Sequence, residues 1–334
     1  MKTTKTLQLL ATSSIILAVE QAFAQTLYTE NFDTDHTANW IVNNNGQGVN
    51  AANFFFNYST VGIPSAPHST GGSTIGLKLG ANLGGVATAS LAGISVSPLG
   101  QSFTGNYTLK FDWWHNWLGS TTTGIGSSSG GSGSTQLSTF GIRTSGTTPN
   151  LAGASDSVFF AADGDGASSL DYRSYSSEAT SGYTTASAHA TYAAGSQNNT
   201  AALYTTLFPA GNTAPATQVG ISSTQSGSTL AGTAGFAWHD VEITQLGNTI
   251  TWTVDGTLLV TIDASNFSTP TAGNNILFGM SDTSTGAGTP ASLFEQLDFT
   301  LIDNVSVFVP TPEPSSVTLG ALGIVGWLVA RRRK

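Results

Sequence analysis

The chain has 334 residues, no cysteine, and 19 acidic against 10 basic residues, for a formal net charge of −9. Without cysteine there is no disulfide, no thiol nucleophile and no cysteine-based metal site. Six of the basic residues sit at the two ends, so the stretch 25–309 keeps only Lys78, Lys110, Arg143 and Arg173 against seventeen acidic residues. A segment that acidic repels polyanions, which excludes nucleic acid as a partner, and attracts divalent cations.

The first element in chain order is a leader. Lys2 and Lys5 precede an apolar stretch from Leu7 to Val19, and Ala22-Phe23-Ala24 supplies small residues at the −3 and −1 positions of a cleavage site, so the mature chain is expected to begin at Gln25. About 285 residues follow before the last apolar segment, enough for one large core that stands without disulfides.

This central stretch is rich in Gly, Ser, Thr, Ala and Asn and shows two-residue rather than helical periodicity, which predicts an all-β domain. Tyr107, Leu109, Phe111 and Trp113 alternate with Thr108, Lys110 and Asp112. Gly119 to Thr135 reads as a flexible Gly/Ser/Thr loop, and Ser174 to Gly235 as either thin strands or a long decoration. From Trp238 to Ile262 three strands are expected in a meander, the second and third joined by Asp255-Gly256 as a type I′ turn. A final strand is expected from Leu297 to Val309. The preferred architecture is a single antiparallel β-sandwich over 25–309.

Several residues carry candidate chemistry. Asp303 falls on the apolar parity of the last strand, where an unpaired carboxylate is too costly to leave alone. Two resolutions are open: a β-bulge or hydrogen bonds at the rim, or a Ca²⁺ ion held by Asp303 with Asp33 or Asp35. Asp163-Gly164-Asp165-Gly166 has calcium-loop residues without the full ladder of an EF-hand and reads better as an acidic surface turn. Trp113, Trp114 and Trp117 lie within five residues, and Trp114 and Trp117 are candidate platforms for stacking sugar rings. His115 and His239 have no partner spacing that suggests zinc and read as surface or rim residues. No nucleophile elbow, zinc-protease helix, P-loop or dinucleotide fingerprint is present. Glu30 with Asp33, or Asp240 with Glu242, are the pairs from which a glycan hydrolase or lyase would have to draw its acid and base.

The end of the chain is the most specific part. Pro310-Thr311-Pro312-Glu313-Pro314 is followed by an apolar run from Val317 to Ala330 and then by Arg331-Arg332-Arg333-Lys334. Proline removes backbone donors and keeps the first piece extended, the 14-residue run gives about 21 Å of helix, and the terminal cations favour the cytoplasmic side. In this order the three pieces resemble the PEP-CTERM sorting signal of Gram-negative bacteria, with Pro312, Glu313 and Pro314 as its motif. The resemblance implies an exported protein of the cell surface or extracellular matrix. It implies transient anchoring in the inner membrane through a C-terminal hydrophobic helix, and cleavage by an exosortase-type enzyme.

Trp238-His239-Asp240-Val241-Glu242-Ile243 with Ile250 to Gly256 resembles the late hairpin of concanavalin A-like and laminin-G-like jelly rolls. Glu30 to Asp33 with Trp40, and Leu301 to Val305, resemble the first and last strands of the same sandwiches. That resemblance implies a carbohydrate-binding fold, with polysaccharide as the expected ligand. A non-catalytic surface protein is the favoured reading, and a glycan-acting enzyme with an unrecognised carboxylate pair is the alternative.

Overall fold

A computed structural model describes residues 24–84, 87–88, 91–126, 135–151, 156–176, 191–266, 271–283, 286 and 290–310. The leader up to Phe23, the sorting motif at Pro312 to Pro314, the apolar run and the basic end at Arg331 to Lys334 lie outside the described residues. Among the described residues no helix is long and apolar enough to cross a membrane.

Among the described residues fourteen strands and three short α-helices follow one another. They are β1 (Gln25–Glu30), β2 (Trp40–Asn44), β3 (Ala51–Asn57), β4 (Ile75–Gly80), β5 (Ala92–Pro98), β6 (Tyr107–Asn116), β7 (Gln136–Thr144), β8 (Val158–Asp163) and β9 (Tyr172–Tyr175). Then come α1 (Ala202–Leu207), α2 (Ala216–Ile221), β10 (Trp238–Leu246), β11 (Thr249–Val254), β12 (Thr257–Asp263), β13 (Asn275–Asp282), α3 (Ala291–Leu297) and β14 (Phe299–Val309). An eight-stranded sheet has the order β12-β11-β10-β6-β14-β4-β3, with β1 also paired to β14, and a six-stranded sheet has the order β2-β5-β13-β7-β8-β9. The named strand pairs are antiparallel, and the two sheets form a sandwich of the jelly-roll kind.

The expected meander forms as β10, β11 and β12, with Val241 opposite Val254 and Ile250 opposite Ile262. Asp255 (φ 48°) and Gly256 (φ 73°) both take positive φ, as a type I′ turn requires, and the backbone twist of that turn matches the strands it joins. Alternation places Leu109, Phe111 and Trp113 between the sheets with Ile243, Trp252, Phe140, Phe278 and Ile302.

The last strand departs from expectation at both ends of its apolar parity. Leu297 closes α3 rather than opening a strand. Between Asp303 and Ser306 the pairing with β6 slips, and Asn304 takes φ 51°, so a bulge reverses the alternation. Val305 and Val307 therefore join the core with Ile302, whereas Phe299 and Leu301 point to the outer face of the eight-stranded sheet. That face is not bare. Tyr58, Val61, Ile63, Trp114, Trp117 and Phe236 form a second apolar layer on it, built from residues 58–73 and the stretch before β10. In its described part the segment 174–235 holds the end of β9, turns and two six-residue helices, α1 and α2.

Candidate functional site

Among the described residues, several polar regions interrupt this apolar framework, and three of them hold the candidate site residues. The first is a pocket of about 330 Å³ at the sandwich rim, lined by Tyr28, Thr29, Glu30, His36, Asn39, Pro98, Leu99 and Gln101. It exists because the chain turns sharply after β1: Phe32 takes φ 56° and buries its ring 5.6 Å from that of Trp40, while its N–H donates to Glu30 Oε1 at 2.9 Å. Glu30 is buried, and its Oε2 lies 3.0 Å from His36 Nδ1. The Tyr28 ring leans edge-on against Phe103. Burial, reinforced by the charge of Glu30, pushes the Tyr28 hydroxyl well above its usual range, so it remains a neutral donor and acceptor.

The second region fastens residues 58–73 to the outer face of the eight-stranded sheet. Asp112 on β6 and Asp303 on β14 face each other across the pair, both nearly fully buried. His68 donates its backbone N–H to Asp112 Oδ2 at 3.1 Å and sets Nδ1 2.7 Å from Oδ1, and Asn304 Nδ2 donates to Oδ2 at 2.8 Å. Asp303 accepts from Asn304 N–H at 2.8 Å, from the Tyr58 hydroxyl at 2.9 Å and from Ser69 Oγ at 3.1 Å. Burial raises the Asp303 carboxyl to about 7; those three donors oppose the rise and neighbouring Asp112 adds to it.

Of the proposed calcium ligands, the structure brings Asp33 and Asp303 toward one hydrogen-bonded network and leaves Asp35 apart. Asp33 accepts from Ser73 Oγ, and the carbonyl of Ser73 lies 3.2 Å from the Tyr58 hydroxyl. Asp35 is exposed and accepts both the N–H and the hydroxyl of Thr37. Asp303 sits at a bulge and accepts three hydrogen bonds.

The third region lies at the end of β8 and corrects the reading of Asp163-Gly164-Asp165-Gly166 as a surface turn. Asp163 is 1% and Asp165 8% exposed. Asp163 meets no donor other than the adjacent carboxyl of Asp165, and burial together with that carboxyl pushes Asp163 well above the usual carboxylate range. Burial also raises Asp171 to about 7, against a backbone bond from Asn199 and with the charge of Asp165. Asp298, buried at the end of α3, likewise has no donor to either oxygen, and burial, then Asp282 and Asp165, raise it strongly. His115, expected at the surface, is buried beside this group; burial lowers it to about 4, and its Nδ1 lies 2.6 Å from Ser138 Oγ. His239 is also buried, with Nδ1 2.7 Å from Asp255 Oδ2. Among the described residues no three His, Asp or Glu side chains are gathered as a metal shell.

The tryptophan expectation needs correction as well. Trp114 is 4% and Trp117 1% exposed, covered by Phe236 and, for Trp114, also by Trp238. Neither ring offers a free face for a sugar, because the layer laid over the outer face uses both as core. The suggested acid and base pairs are engaged too: Glu30 with His36, and Asp240 and Glu242 with Lys110 at 2.7 and 3.1 Å. Sequence reasoning missed Tyr28, His36, Asn39 and Gln101, which carry no motif and meet only in three dimensions, and likewise His68 beside Asp112.

Two antiparallel sheets in this arrangement define a β-sandwich. Solved structures similar to the chain include the metal-free carbohydrate recognition domain of Emp46p (10% identity, 84% of this chain and 95% of that one, TM-score 0.39). They also include the Ca²⁺/Man-bound exoplasmic/lumenal domain of VIP36 (8%, 83% and 85%, 0.37) and the β-glucanase of Bacillus licheniformis (12%, 87% and 100%, 0.35). At such identities and scores no residue or activity is carried across. Residues 310–334 match the PEP-CTERM protein-sorting motif, which implies export by way of the cell envelope and exosortase processing. No curated protein matches the chain.

Proposed function

We propose that the sandwich is a non-catalytic glycan-binding domain, delivered to the outer surface or extracellular matrix of a Gram-negative bacterium, where it binds polysaccharide. The observation that carries this reading is the rim pocket. A neutral phenol on a part-exposed ring, two amides in Asn39 and Gln101, and a buried carboxylate backed by an imidazole offer donors and acceptors at several angles, as a hydroxyl-rich ligand needs. Non-catalytic action is supported by the carboxylates of the candidate pairs, which are committed to His36, Ser73 and Lys110.

Calcium belongs to this proposal as a structural ion. The set Asp33, Asp35 and Asp303 fits it poorly, since Asp35 bonds its own turn and Asp303 already has three donors. Asp163 with Asp165 fits better: two buried carboxyl groups in contact require a proton or a cation between them, and waters can complete a shell of oxygens.

Glycan binding by the mature chain, measured on an array and then by calorimetry with the best ligand, tests the reading. Tyr28→Ala should weaken binding about tenfold or more, the loss expected for one well-placed aromatic and its hydroxyl. Release of reducing sugar from that ligand, or binding unchanged in Tyr28→Ala, would overturn it.

A further inference from the structure

A pocket of about 220 Å³ lies where β3, β4 and α3 meet, lined by Ala51, Asn53, Phe56, Lys78, Gly80, Leu83 and Glu295. Lys78 reaches it from the outward parity of β4. Its Nζ donates to the Glu295 carbonyl at 2.7 Å and stands 4.7 Å from the ring centroids of both Phe56 and Phe299. The other lysine of the domain is differently placed: Lys110 is bound by two carboxylates. Lys78 has aromatic faces where an ordinary surface amine has water.

We propose that Lys78 is a reactive amine which captures a small aldehyde, such as the open-chain form of an aldose, as an imine in this pocket. The inference stands apart from the rim pocket and holds whether or not glycan binds there. The neutral amine adds its lone pair to the carbonyl carbon, and the carbonyl oxygen takes a proton. The carbinolamine then expels that oxygen as water while the C=N bond forms. One amine and one aldehyde give one imine and one water, with no oxidant or reductant.

Two features of the site favour opposite ends of this path. Burial holds the Lys78 ammonium down to about 8, against the charges of Glu295 and Asp298, so at pH 7 about one molecule in ten presents free amine, against about one in three thousand for an ordinary lysine. The two rings then stabilise the product, because a protonated imine keeps its positive charge over the same π faces. Glu295 lines the pocket and the charge of its carboxylate acts on the Lys78 ammonium, which makes it the group to carry the proton between amine and departing oxygen. The pocket is too small for more than about one sugar unit, which restricts the partner to a small aldehyde or a chain end.

The test is reductive trapping. The mature protein is incubated at pH 7 with glyceraldehyde and cyanoborohydride, and adducts are mapped by peptide mass spectrometry against time, in the folded state and in urea. Labelling of Lys78 at least tenfold faster than Lys110 when folded, with that preference lost in urea, supports the proposal. Lys78→Arg, which keeps a cation over the rings, should remove the fast adduct, and Glu295→Gln should slow it. Equal rates for Lys78 and Lys110 in the folded protein, or a preference that persists in urea, would overturn it, and neither outcome requires a variant to fold.

Discussion

Asp303→Asn should flatten the dependence of stability on pH. In the folded chain burial raises the Asp303 carboxyl from its ordinary 3.8 to about 7. The folded state therefore holds a proton that the unfolded state releases between those values, so the contribution is fully present below about pH 4, falls as pH rises through 7 and is flat above. A change of that size corresponds to a ceiling on the order of 4 kcal/mol, at 1.36 kcal/mol per tenfold change in the proton equilibrium. The asparagine side chain keeps the volume, its one oxygen can accept from the Asn304 N–H while its amide N–H faces the Tyr58 and Ser69 hydroxyls, which can turn to accept, and it cannot titrate. Urea unfolding at pH 4 to 8 gives the comparison. The unmutated chain should lose several kcal/mol more than Asp303→Asn across this range. Asp171 rises to about the same value and contributes equally to both proteins, as does His115, whose lowered value works in the opposite direction: its share is present above about 6.5 and lost as pH falls through 4. Parallel curves for the two proteins would refute the reasoning and mean that the carboxylate of Asp303 is charged at little cost in the fold.

If a calcium ion bridges Asp163 and Asp165, excess Ca²⁺ should raise stability by about 2.7 kcal/mol at a hundredfold excess over Kd, and chelation should remove the gain. Thermal melts should show that difference abolished in Asp165→Asn and retained in Asp303→Asn; superimposed melts for the unmutated chain would exclude the ion. Trp114→Ala should cost about 3–5 kcal/mol, since it empties a site packed by Phe236 and Trp238, while glycan affinity stays within twofold; a loss of binding without a loss of stability would restore the stacking role. Intact mass of the protein from the native cell surface should show a chain that begins at Gln25 and ends between Pro312 and Ser316, and recovery of Arg331-Arg332-Arg333-Lys334 there would contradict cleavage.

Export and the β class were legible in the residues themselves. A proline break, an apolar run and a basic end act through their order along the chain, so no fold is needed to recognise them. The meander from Trp238 to Ile262 was equally readable, because alternation and the positive φ of a type I′ turn are local properties of Thr249 to Ile262. Burial on the outer face was not. Strands β5, β8, β9 and β13 are buried along their whole length and β7 at every residue but Arg143, and Leu137, Phe159, Ala161, Tyr175 and Leu277 pack together on the side away from the main core, so β8 in particular loses the polar half of the alternation. The same lack of local information placed Trp114 and Trp117 in solvent when a segment a hundred residues later covers them.

Asp303 shows the division most directly. Its wrong parity was visible in the sequence, but whether a bulge, a set of donors or a metal ion answered it depended on Tyr58, Ser69 and Asn304. Likewise Asp163 and Asp165 look like any acidic turn until the fold buries them beside Asp171, Asp298 and His115. Periodicity and order along the chain are set by neighbours in sequence. The dielectric around a carboxylate and the lining of the rim pocket, where Tyr28 meets Gln101, are set by residues far apart in the chain, and only the packed sandwich brings those together.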